Sequence, residues 1–165
     1  MPYRPMPFAL ETERLTLQLW EESDAAGYRQ LVGERGDEMP TLEGALDEIR
    51  GARESAPGRG IHLMTLRRRG DHEFLGYCGL IIGRASIDEP EIAYELLRSA
   101  HGRGYATEAG AAIVEAARVT GRTRLWSTVA TWNTPSFRVL EKLGFRRDRT
   151  TPGENGDVVW NVLDL

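Results

Sequence analysis

The sequence predicts an α/β fold: a mixed, mostly antiparallel sheet flanked by helices, with elements in the order β-α-α-β-β-β-α-β-α-β-β. Three observations lead there. Short runs of alternating apolar residues are separated by hairpin-type turns, the pattern of strands buried on one face. One glycine-rich turn, His101-Gly102-Arg103-Gly104, opens into a run whose Ala106, Ala109, Ile113, Ala116 and Ala117 share a helical face, so a strand-helix-strand crossover interrupts the hairpins. Finally, Thr134-Pro135 and Leu143-Gly144-Phe145 bracket a further helix, with proline at its start and glycine at its end.

Taken in order, Arg14 to Trp20 alternates Leu15, Leu17 and Leu19 with polar neighbours and reads as the first strand. Ser23-Asp24 offers caps for a short helix reaching about Val32. Leu42, Ala45, Leu46 and Ile49, preceded by Thr41, give a second helix ended by Pro57-Gly58-Arg59-Gly60. Ile61 to Leu66 and Phe74 to Ile82 form a hairpin around Arg69-Gly70-Asp71-His72, and Gly76 and Gly79 within it signal a bulge or a close backbone approach. A turn at Ile87-Asp88-Glu89-Pro90 leads into a strand from Glu91 to Leu97. The helix from Tyr105 stops at Gly121, and Arg124 to Ala130 completes the crossover, expected to be right-handed. After the helix capped by Thr134, strands Arg146 to Thr150 and Val158 to Leu163 close the fold around the Pro152 to Asp157 turn.

At 165 residues the chain is expected to form a single domain, residues 1–165, with a core of ordinary size. Its formal charge of −4 has the wrong sign for general nucleic-acid binding, and Arg67-Arg68-Arg69 reads as solvated surface at a strand end. No apolar run is long enough to span a membrane, the first residues lack a secretory core, and Cys78 is the lone cysteine, so a cytoplasmic protein without membrane partners is expected. No His/Cys/Asp cluster at ligand spacing implies a metal.

The chemistry concentrates at the glycine-rich turn. A strand that ends in such a turn and opens directly into a helix leaves backbone N–H groups pointing outward at the positive end of the helix dipole, which makes an anion site. Gly102 and Gly104 let the backbone approach a phosphate closely, and Arg103 adds a cation. A dinucleotide fingerprint would need glycine where Thr107 stands, and no Gly-Lys-Ser/Thr phosphate loop is present.

The run His101-Gly-Arg-Gly-Tyr-Ala-Thr-Glu-Ala109 resembles the acetyl-CoA pyrophosphate motif of the GNAT N-acetyltransferases, and most of all their ribosomal-protein N-terminal acetyltransferase (RimJ/RimL-like) branch. Thr12 to Leu17 and Phe74 to Leu80 are similar to that branch's opening and third strands, and Asn133 to Phe145 to its C-terminal signature. The motif's first position, usually Gln or Arg, is His101 here.

The resemblance implies a GNAT-like fold and transfer of acetyl from acetyl-CoA to a primary amine, a protein N-terminus or a small amine, by direct attack in a ternary complex. It assigns the N–H groups from Gly102 through Arg103, Gly104, Tyr105 and Ala106 to Thr107 to the pyrophosphate, with His101 beside them. It assigns the backbone of Leu96 and Leu97 and the side chain of Asn133 to the pantetheine arm. Ser136 falls near the thioester sulfur, where a hydroxyl can protonate the leaving thiolate, while the position that holds a tyrosine in many relatives is Leu140. Glu91 is the first choice for general base, with Glu95 on the same strand face and Glu89 just before the strand. Leu97 or its neighbour is expected to offer an oxyanion-stabilising N–H.

Each residue also has a bland reading: Asn133 as an Asx turn, Ser136 as a first-turn serine bonded locally, the glutamates as exposed strand carboxylates, and Cys78 as a small buried hydrophobe. Trp126, Trp132, Tyr77 and Tyr94 can line an acceptor pocket or fill the core. A non-catalytic acyl-CoA-binding regulatory domain is the alternative function. A homodimer through one of the last two strands is compatible with the sequence.

Overall fold

A computed structural model describes residues 2–165. The strands are β1 (Ala9–Glu11), β2 (Leu15–Gln18), β3 (Leu63–Arg68), β4 (Phe74–Ile81), β5 (Glu91–Leu96), β6 (Arg124–Ala130), β7 (Arg146–Thr151) and β8 (Val158–Asp164). The helices are α1 (Ala25–Glu34), α2 (Leu42–Arg59), α3 (Tyr105–Val119) and α4 (Thr134–Leu143), with short 3-10 turns at Glu22–Asp24 and Arg98–Ala100. The expected mixed α/β architecture is present, with one addition, β1. That strand is three residues long with a single large apolar residue, Leu10, opposite Leu17, and so carries no readable period.

Two helix ends differ from expectation. α2 runs through Pro57 to Arg59 and closes at Gly60, whose φ of 72° and N–H bond to the Ala56 carbonyl (3.1 Å) form a left-handed cap. Proline is tolerated there because the carbonyl four residues back belongs to Arg53, on an exposed turn that water can serve. α4 is capped by Asn133, one residue before the expected Thr134, because the Asn133 Oδ1 accepts the Ser136 N–H.

The eight strands form one sheet in the order β1-β2-β3-β4-β5-β6-β8-β7, antiparallel everywhere except between β5 and β6. One face packs under α3 and α4 around Leu66, Leu80, Ile92, Ile113 and Leu125. The other carries α1 and α2 over Trp20, Ala45, Ile49 and Tyr77. Gly76 and Gly79 are required by close approach: a Cβ on Gly76 would overlap the Glu95 carbonyl and one on Gly79 the His62 carbonyl, and a bulge sits opposite Gly76 at Leu66/Arg67. The outermost strand, β7, exposes Arg146, Arg147 and Arg149, charges that discourage pairing along that edge. Among the described residues, no helix is long and apolar enough to cross a membrane.

The feature that positions the site is the parting of β5 from β6. They share one register pair, Glu91 with Trp126, held by the Trp126 N–H on the Pro90 carbonyl (2.9 Å). The Ser127 hydroxyl reaches the Ile92 carbonyl (3.4 Å), and beyond it β6 pairs only with β8. The sheet therefore opens into a gap bounded by the second half of β5.

Candidate active site

Backbone groups alternate sides along a strand. The Leu97 N–H is taken by the Leu75 carbonyl (2.8 Å), so odd-numbered residues of β5 face β4, while Tyr94 and Leu96 turn their N–H and C=O toward the gap. Leu97 thus has no N–H to offer there; the neighbour that does is Leu96. The Leu96 carbonyl is engaged by His101, whose Nε2–H donates to it at 2.8 Å.

At the far end of the turn, Gly102 (φ 72°) and Gly104 (φ 81°) adopt the left-handed backbone that delivers the chain into α3. No side chain caps α3, and its first internal bond runs from the Glu108 N–H to the Gly104 carbonyl. The N–H groups of Tyr105, Ala106 and Thr107 thus point out of the helix without an internal acceptor. Glu108, the one acid in the first turn, is held away from them. Its carboxylate accepts from the Thr12 hydroxyl (2.5 Å) and from the Arg14 N–H (2.9 Å) and Nε (2.7 Å). Burial raises its pKa, but these hydrogen bonds outweigh it and bring the group below the ordinary glutamate value.

These orphan donors line a cleft of about 680 Å³ that runs from α3 to the β5–β6 gap, with Leu96 on one wall and Asn133, Ser136 and Val139 of α4 on the other. The structure brings Leu96, His101, Gly102, Gly104, Tyr105, Ala106, Thr107, Asn133 and Ser136 to this one cleft. Three expected residues are not on its wall. Leu97 is buried, and Arg103 is exposed, contributing its carbonyl to the Arg14 guanidinium (2.9 Å). Glu91 lies at the closed end of the gap.

Only 5 % of Glu91 is exposed, against the expectation of an exposed strand carboxylate in the bland reading. Its carboxylate abuts the backbone of Gly83, and its Oε1 is buried with no hydrogen-bond partner. Burial raises its pKa, an effect tempered by the Thr128 hydroxyl and the Arg84 backbone. Glu95, in contrast, is held in a two-pronged pair with Arg35 (2.6 and 3.1 Å) and is committed elsewhere.

Leu140, where many relatives hold a tyrosine, is 1 % exposed and belongs to the core. The residue that the sequence left unassigned is Tyr94. It lines the cleft, and its hydroxyl donates to the Ser136 carbonyl (3.1 Å) in the first turn of α4, with burial pushing its pKa up to about 12. The signal that could have found it is parity: Tyr94 shares a strand face and a gap-facing backbone with Leu96.

A family model described as an acetyltransferase (GNAT) domain matches residues 14–146, most of the chain. The chain belongs to the GNAT acetyltransferase family. This GNAT protein is 30% identical over 151 residues to YkkB of Bacillus subtilis (strain 168), covering 86% of this chain and 87% of that one. It is similar to an acetyltransferase from Agrobacterium tumefaciens (27% identity, TM-score 0.77, covering 96% and 95% of the two chains). Two solved structures share the fold at lower identity. One is RimL, a ribosomal alpha-N-protein acetyltransferase, in complex with coenzyme A (16% identity, TM-score 0.78, 97% of both chains). The other is YncA of Salmonella typhimurium with acetyl-CoA (15% identity, TM-score 0.74, 93% and 95%).

Proposed function

We propose that the protein is an acetyl-CoA-dependent N-acetyltransferase acting on a primary amine by direct attack in a ternary complex, with the whole chain working as one acetyltransferase domain in the cytoplasm. The observation that carries this reading is the uncapped N-terminus of α3, whose N–H groups face a cleft leading to the gap between β5 and β6. A pyrophosphate satisfies those donors, and Arg103 adds charge beside them. The gap-facing backbone of Leu96 then pairs with the pantetheine arm, for which His101 has to leave the Leu96 carbonyl. Asn133 caps α4 through Oδ1 and keeps its amide N–H₂ for the arm. Leu97 acts indirectly, by anchoring β5 to β4.

Acetyl-CoA supplies the activated thioester carbonyl. Glu91 serves as base, directly or through water, because burial raises its pKa and so gives it a higher proton affinity than an ordinary carboxylate, an effect that the Thr128 hydroxyl and the backbone and charge of Arg84 only partly offset. Tyr94 supplies the proton to the leaving thiolate beside Ser136; with a pKa near 12 it stays protonated at neutral pH and is able to donate.

The alternative, a non-catalytic acyl-CoA-binding domain, is favoured by one observation, the buried leucine at position 140. Tyr94 answers it by bringing a phenol from β5 to the first turn of the same helix. The RimL-like structure with coenzyme A and the signature at 133–145 support the ribosomal-protein acetyltransferase branch, and with it an amine acceptor. Incubation with acetyl-CoA and a panel of small amines and N-terminal peptides tests the proposal. Equal amounts of free thiol and acetylated amine are expected, whereas CoA binding without turnover on any acceptor would establish the regulatory alternative.

A further inference from the structure

As it lies, Glu91 has no open route to an acceptor. It is 5 % exposed, it is absent from the wall of the large cleft, and its Oε1 is buried without a partner. A base has to come within hydrogen-bond reach of the proton it removes, directly or through one water. What covers the carboxylate is the connection between β4 and β5, and the two halves of that connection are held differently. The second half is pinned. The Ser86 N–H donates to the Glu89 carbonyl (3.4 Å) and the Glu89 N–H to the Ser86 hydroxyl (3.1 Å). Arg122, itself buried and stacked on the Tyr3 ring at 4.4 Å, donates from Nε to the Ile87 carbonyl (2.9 Å), and Trp126 donates from Nε1 to the Glu89 carboxylate (2.8 Å).

The first half is a tight turn from Ile82 to Ala85, closed by the Ala85 N–H on the Ile82 carbonyl (2.9 Å). Ile82, Gly83 and Arg84 are exposed, and what ties the turn down is Glu91. The carboxylate packs on Gly83 and accepts a hydrogen bond from the Arg84 backbone. Glycine is required at position 83 on two separate grounds. Its φ of 55° is the left-handed backbone of the first central position in such a turn, and a methyl group there would overlap the Glu91 Oε2. The first ground concerns the turn alone; the second fits the turn to the carboxylate. Across the sheet, β6 turns the Thr128 hydroxyl toward Glu91 and β4 pairs Ile81 with it, so among the described residues Arg84 is the charged group that acts on it. A segment with few contacts and exposed backbone opens more easily than the pinned one that follows it.

We propose that Gly83 and Arg84 are positioning residues for the base and form a movable cover over it. Closed, the turn holds the carboxylate in place and keeps water from it. Open, swinging about the fixed segment from Ser86 to Pro90, it gives the acceptor's ammonium access to Oε1. The proton then passes from nitrogen to Oε1, and the electron pair of the broken N–H bond stays on nitrogen as the lone pair that attacks the thioester. The inference rests on the acetyltransferase reading and adds to it a step that precedes proton transfer.

Two substitutions should move the titration of Glu91 in opposite directions. The methyl of Gly83→Ala drives the turn off the carboxylate and lets water in, which should carry the Glu91 midpoint down toward the ordinary 4.5. Arg84→Ala keeps the backbone N–H and the cover but removes the cation, and should carry the midpoint up. Carbon-detected NMR of the glutamate carboxyls, with Glu91→Gln to identify the signal, reads both midpoints independently of turnover, and the acid limb of kcat/KM should follow them. Hydrogen exchange reads the opening itself. The Arg84 and Ala85 amides should exchange at least about 100-fold faster than the Trp126 amide, which is held on the Pro90 carbonyl, and at a rate insensitive to low denaturant. A midpoint unmoved by Gly83→Ala, midpoints that move the same way in both variants, or Arg84 exchange as slow as that of Trp126 would overturn the inference. So would NMR midpoints that move while the acid limb stays put, since Glu91 would then have no part in catalysis for the turn to control. Absence of thiol release with every amine would instead strike the acetyltransferase reading, and the midpoints and exchange rates would still decide whether the turn covers Glu91.

Discussion

Replacing Glu91 with glutamine separates catalysis from stability, because the two should move in opposite directions. The carboxylate is 5 % exposed, and one of its oxygens has no partner. An unsatisfied buried group costs about 1–3 kcal/mol, and more when charged. Gln keeps the shape and the acceptor facing the Arg84 backbone, so neutralisation should recover about 1 kcal/mol. For a chain of this size that raises Tm by roughly 2–4 °C. The sign follows from linkage. With its folded pKa raised above the ordinary 4.5, Glu91 destabilises the native state increasingly as pH climbs from 4.5 to the folded value and fully above it, whereas below 4.5 both states carry the proton. The gain in Tm should therefore be full at pH 8 and largely absent near pH 4. Activity should go the other way, with kcat/KM falling about 100-fold or more. Scanning calorimetry at the two pH values, paired with thiol-release kinetics, checks both. A Tm that drops at pH 8 would rule out a burial cost at Glu91, and kinetics unchanged by the substitution would rule it out as the base.

Three further outcomes follow from the same geometry. Tyr94→Phe should lower kcat by about 10-fold or more while leaving the CoA affinity measured by calorimetry nearly unchanged; a loss confined to affinity would make Tyr94 a wall and not a proton donor. Glu108→Ala removes the acceptor for Thr12 and two Arg14 groups and should cost about 2 kcal/mol. Because the folded Glu108 pKa is lowered, that stability is present above the ordinary glutamate value and is lost as pH falls through the folded one, so denaturant curves of wild type and variant should converge in acid. Gly27→Ala would drive a methyl into the Phe74 ring where α1 meets β4, and should destabilise by about 1–3 kcal/mol in a denaturant melt.

Much of this was legible because it is local. The bracketing of α4 by Pro135 and Gly144, the period of β2, and the turn into α3 all depend on residues a few positions apart, and there the expectation and the structure agree to within a residue or two. The cap at Asn133 in place of Thr134 was an error of one position between two residues that both cap well. What escaped depends on distant partners. β1 exists because β2 offers an edge to pair with, not because of its own sequence. The burial of Glu91 comes from Gly83 and Thr128 and the exclusion of Leu97 from a bond to Leu75, neither of which leaves a mark at the residue itself, while the place of Tyr94 beside the gap was readable only as strand parity with Leu96. The small cavity floored by Trp20, Tyr28 and Tyr77 draws on β3, β4 and both early helices, and no short window of sequence contains it.

Titration calorimetry with CoA on the wild type and on Gly104→Val reports whether the uncapped start of α3 is a CoA cradle. Gly104 sits at φ 81°, a conformation valine resists, so the substitution should disturb the orphan N–H groups and little else. Micromolar or tighter binding by the wild type is expected, with a loss of at least about tenfold in the variant. No binding by the wild type, or equal binding by the two proteins, would contradict it.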